Sequence, residues 1–177
     1  MSLLRIVRPI LVLALTATAF GQIKPPQFQT GPAPGFLAYQ ALFNKVVWLE
    51  SLAVQADAKR GTGNPSSQFY RSQIANAAGL TNVEYTSLVA VAQDYAQAKA
   101  ATNAAKNPVL AAIKAQQAAG GKATWAQMVQ LSNLFQQYTA MVNAHIVQLQ
   151  AKLGAPGAQA LANYVHTTVA ARTVWAR

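Results

Sequence analysis

Cysteine is missing from this 177-residue chain, histidine occurs twice, and Asp and Glu together number four. The first absence excludes disulfides, thiol catalysis and anchoring through a lipidated cysteine. The scarcity of the others leaves few groups from which a metal site or a general acid–base pair could be assembled. His145 and His166 show neither an HxxxH nor an ExxH spacing, and no carboxylates stand paired on one helical face at ligand spacing. No serine stands in a nucleophile elbow or an SxxK arrangement, and no glycine-rich run has the form of a phosphate loop. The sequence therefore predicts no enzyme activity, no cofactor and no metal. His145, set within an apolar helical stripe, is expected to be a core or interface histidine satisfied by one hydrogen bond.

The charge that is present is lopsided. Lys and Arg number 14, giving a formal charge of +10. All four acids (Glu50, Asp57, Glu84, Asp94) lie in the first half, and after Asp94 every formal charge is positive. Lys99, Lys106, Lys114, Lys122, Lys152 and Arg172 are thus candidate contacts for polyanions such as envelope lipid headgroups, acidic polysaccharide or nucleic acid. The alternative is that these charges only keep an Ala- and Gln-rich surface soluble. No nucleic-acid-binding module is recognisable, so any such binding would not be sequence-specific. Trp48 lies off the main apolar stripe, while Trp125 and Trp175 lie at helix ends; these three are the candidate partner contacts.

Residues 1–21 read as a cleaved signal peptide: Arg5 and Arg8, a short apolar run over Ile10–Leu15, then small residues at Ala19 and Gly21. Cleavage is expected after Gly21, with Ala19 as the second choice. The apolar run is shorter than the ~20 residues that cross a bilayer. A periplasmic or secreted protein of about 155 residues follows, the size of one domain. Residues 22–35 carry four prolines and form an extended linker. Residues 36–172 form a single helical domain, and 173–177 a short tail.

The fold class expected is all-α: antiparallel hairpins or a bundle of three long helices and two or three shorter ones. Phe36, Tyr39, Phe43, Val46 and Val47 recur at three and four, predicting a helix to about Lys59. A short helix over about 67–78 should end at Gly79, where Thr81 and Glu84 form a capping box for the next helix. That helix is expected to stop near Ala105. Asn107-Pro108 has the form of a cap and first residue for a separate short helix to about Ala118, with one kinked helix as the alternative. Thr124-x-x-Gln127 is a second capping box, opening the stripe Met128, Leu131, Phe135, Tyr138, Val142, His145 and Leu149. Core packing is expected for its aromatics. Gly154 and Pro156 should separate this helix from a last one.

Leu80-Thr81-x-x-Glu84 at the start of a long helix, in an exported cysteine-free chain, resembles the LTxxQ segment of the periplasmic Spy-type helical proteins. The resemblance spans about residues 80–100. This chain has Glu84 where the family has Gln, and one such segment where the family shows two. It implies a thin α-hairpin protein, a homodimer, acting as a chaperone or stress-response regulator in the bacterial envelope. The function expected is a non-catalytic helical binding protein that engages proteins or polyanions through apolar and cationic surfaces. The alternative is a self-assembling structural subunit.

Overall fold

The computed structural model describes residues 28–29, 35–173 and 175–176. The expected signal peptide and most of the linker lie outside them. The fold is all-α: a bundle of four helices, α1 (Gly35–Arg60), α2 (Pro65–Ala78), α3 (Asn82–Ala118) and α4 (Trp125–Tyr164). A π-helical turn, Val165–Val169, and a single turn α5, Ala170–Arg172, complete it.

Side chains near each helix end fix most of the boundaries. Asn64 caps α2 by accepting from the backbone N–H groups of Ser66 and Ser67, and Pro65 occupies the first helical position. Gly79 ends α2 in the left-handed conformation, φ 67°, which costs a residue without Cβ nothing. Thr81 then caps α3: its hydroxyl accepts from Glu84 N–H, and the Glu84 carboxylate accepts from Thr81 N–H at 2.8 Å. Thr124 and Gln127 repeat the box at α4.

α3 does not break at Asn107-Pro108. It runs unbroken for 37 residues with Pro108 in its interior. Proline removes one bond, that to the carbonyl of Ala104, and Ala104 and Pro108 are both exposed, so water can satisfy the freed oxygen. Meanwhile Tyr95, Thr102, Lys106, Val109 and Ile113 keep one helical face in register across the proline, with Val109 and Ile113 buried.

At Gly154, by contrast, α4 does change course. Its φ of 67° and ψ of 176° are not helical and divide α4 into two limbs. The second limb starts against the head of α3. A Cβ at Gly157 would collide with the Glu84 carboxyl group, so a larger residue here would have to displace the side chain that caps α3. Beyond α5, Trp175–Ala176 (β2) pairs antiparallel with Phe28–Gln29 (β1), joining the chain just before α1 to the tail.

One core joins α1, α2, the first part of α3 and the second part of α4. Leu42, Phe43, Val46 and Leu49 meet Ile74, Leu88, Val91, Tyr95, Val142, Leu149 and Leu161 there. Between Tyr95 and Val142 no described residue contributes a fully buried side chain to this cluster. The distal parts of α3 and α4 instead pack on each other as a two-helix hairpin. Thr81→Ala should cost about 0.5–2 kcal/mol through the lost cap, read as a lower denaturant midpoint. Gly157→Ala should also destabilise by dislodging Glu84; an unchanged midpoint for it would show that the cap does not depend on this contact.

Candidate functional site

Carboxylates on this chain are largely committed to the core end of the molecule. Glu50 and Asp57, on α1, face Arg71 on α2: Arg71 Nη1 lies 2.9 Å from Asp57 Oδ2, and Nε lies 3.4 Å from Glu50 Oε2. Tyr85 on α3 donates to Glu50 Oε1 at 3.2 Å. Burial, then the Glu50 charge, pushes the Tyr85 phenol well above its ordinary value. Asp57 Oδ1 also accepts from Gly63 N–H at 2.9 Å and ties down the α1–α2 loop. Hydrogen bonding by Ser67 first, then by Gly63 and Arg71, outweighs desolvation and holds Asp57 below the usual carboxylate range. Glu84 is likewise lowered by the N–H and hydroxyl of Thr81. Only Asp94 stands exposed on the surface.

Beyond Tyr95 the hairpin has lysines and no acids. Tyr95 closes the core beneath it. Its ring is fully buried, 5.1 Å from Phe43 and edge-on to His145 at 5.9 Å, and its hydroxyl shares a 2.7 Å hydrogen bond with Tyr138. Desolvation, then Tyr138, raises its ionisation far above the ordinary phenol value, so it stays neutral. Lys99 sits one turn further on, half-buried. It donates to Asn44 Oδ1 of α1 at 2.8 Å, with its ammonium 5.9 Å from the Tyr95 ring centre. Desolvation and then the charge of Lys106 pull its pKa down.

Because α3 is unbroken, its lysines are brought together. At about 100° per residue, Lys99, Lys106 and Lys114 fall within a sector of about 80° on one side of the helix. Lys114 is exposed, Lys106 half-buried, and Lys122 is exposed in the loop at the tip. Lys152 and Arg172 do not join them. Both are exposed, but Lys152 lies about 40 Å along α4 from Trp125, beside the core, and Arg172 belongs to α5.

The tryptophans separate too. Trp125 opens α4 at the tip and is 79% exposed; Trp48 is 57% exposed on α1, at the core end. The Trp175 backbone lies in β2, and its side chain lies outside the described residues. The structure adds two exposed apolar residues to the hairpin surface. Phe135 falls on the stripe yet is 45% exposed, against the expected core packing, because its part of α4 faces only the Ala- and Lys-rich part of α3. Val129, one turn beyond Trp125, is exposed as well. Helical spacing grouped Phe135 with the core residues, whereas Val129 lies off the stripe.

His145 Nδ1 lies 2.7 Å from the Met141 carbonyl, so Nδ1 carries the proton and donates. His166 is exposed on the π-helical turn. Among the described residues no three His, Asp or Glu side chains gather as a metal cluster. No described helix is long and apolar enough to cross a membrane. Compared with protein-family models, curated proteins and solved structures, the chain matches none.

Asp57, together with Glu84, carries the pH dependence of the core end. Since its folded pKa is lowered, its contribution is present above the ordinary carboxyl value near 4 and is lost as pH falls through the folded pKa. Stability followed by circular dichroism should therefore drop on acidification below about pH 4. Asp57→Asn should flatten that limb in part, leaving the share of Glu84, and an unchanged acid limb would remove Asp57 from this role.

Proposed function

We propose that the chain is an exported, non-catalytic binding protein of the bacterial envelope that presents the α3–α4 hairpin to an anionic partner. One observation carries this reading: Lys106, Lys114 and Lys122 stand on a projecting hairpin without a single acid, beside exposed Trp125, Val129 and Phe135. Among the described residues the ion pairs belong to Arg71, at the other end of the molecule. Nothing on the hairpin neutralises its lysines. The Leu80–Glu84 segment is accounted for by capping and by its contact with Gly157, so the reading rests on the hairpin rather than on the Spy-type resemblance. A chaperone-like role remains one form that such binding takes.

Self-assembly is the second reading, favoured by the half-exposed Leu131 and Phe135. The two respond oppositely to salt. Pairing two acid-free hairpins brings lysines against lysines, so screening favours it; attraction to an anion is weakened by screening.

Retention on a heparin column should fall steeply from low to physiological salt. Changing Lys106, Lys114 and Lys122 together to Gln should shift elution to markedly lower salt. Unchanged retention would assign these charges to solubility, and oligomers that grow with salt in size exclusion would put self-assembly first.

A further inference from the structure

The hairpin tip combines positive charge with exposed apolar side chains. Trp125 is the first residue of α4, and side chains on a helix lean toward its N-terminus, so the indole projects toward the tip. Val129 follows four residues later on the same face and is exposed with it. Around them the exposed surface is uncharged, made of small residues such as Ala118, Ala119 and Gly120 with Gln117, Thr124 and Gln130 among them, and Lys114 and Lys122 are its only formal charges. A soluble polyanion would engage the two lysines and could stack a base or sugar ring on Trp125, but it would leave Val129 in water. A second copy of the hairpin would cover the apolar side chains and oppose like charges. An anionic bilayer surface accepts both: indole rings favour the headgroup boundary, and lysines favour acidic headgroups.

We propose that the hairpin tip docks on an anionic lipid bilayer surface, with Trp125 and Val129 entering the headgroup–acyl boundary and Lys114 and Lys122 lying against acidic headgroups. This rests on the reading of the hairpin as an anion-binding element and names its partner. Docking is peripheral, since the tip offers a few apolar side chains and not a spanning segment. The core end stays in solution, held off by an arm reaching about 25 Å from Thr102 to Ala118.

Trp48→Phe and Trp175→Phe in the full protein leave Trp125 as the single reporter. Its fluorescence should shift to the blue, and become shielded from an aqueous quencher, with vesicles of phosphatidylglycerol and phosphatidylcholine but not of phosphatidylcholine alone. Lys114→Gln with Lys122→Gln should weaken partitioning about 25-fold, from roughly a fivefold contribution per lysine at an anionic surface. Equal shifts with both vesicle types, or unchanged partitioning of the double variant, would overturn the proposal. Retention on heparin without any blue shift would overturn the lipid assignment while leaving the anion-binding reading intact. Loss of both would sink the two together.

Discussion

Three helices of unequal length meet at one end, and the shorter one decides the form of the molecule. α1 has 26 residues and α3 has 37, lengths of about 39 and 55 Å. α1 buries Phe43 against Tyr95 and reaches Lys99 through Asn44, and the main core takes nothing further from α3. What remains of α3 has only α4 to pack on. Two helices alone bury one side of each, so Val109 and Ile113 are covered while Phe135 is not. The apolar stripe of α4 is thus continuous in sequence and divided in its environment. Its second half is core and its first half is partly wet.

Charge follows the same division. Glu50 and Asp57 hold Arg71 and the α1–α2 loop, and Glu84 holds the head of α3. Those pairings brace the corner around which α1, α2 and α3 meet. The hairpin can do without acids because its lysines follow one another at intervals of seven or eight residues, more than 10 Å apart along a helix. At physiological ionic strength that exceeds the screening length of about 8 Å. Repulsion among the exposed lysines is weak, although half-buried Lys99 feels the charge of Lys106, and the summed potential remains positive for any partner that spans the surface.

Much of this was legible in the residues because it is local. The caps at Thr81 and Thr124, the left-handed Gly79 and the interruption at Gly154 each depend on a few neighbouring groups, and each falls where the spacing puts it. Asn107-Pro108 leaves two outcomes open for a local reason as well, and the alternative of one continuous helix is the one observed. The same dipeptide suits a helix start and a tolerated interior proline, and what selects between them is the burial of Val109 and Ile113 on α4. Non-local contacts left no trace in the spacing. The close approach at Gly157 is to Glu84, 73 positions earlier, and the pairing of Phe28–Gln29 with Trp175–Ala176 spans nearly the whole chain. Whether Phe135 is covered depends on where α1 stops, which the α4 stripe cannot report.

The central claim is that the projecting, acid-free hairpin, and not the core, is the surface that meets an anionic bilayer. Amide hydrogen exchange measured with and without phosphatidylglycerol vesicles tests it most directly. The account predicts that amides of the distal α3–α4 hairpin, nearest the loop containing Lys122, gain protection while those around Leu42, Leu88 and Leu149 stay unchanged. Protection gained at the core end, on α1 and α2 beside Trp48, with the hairpin unaffected, would contradict it.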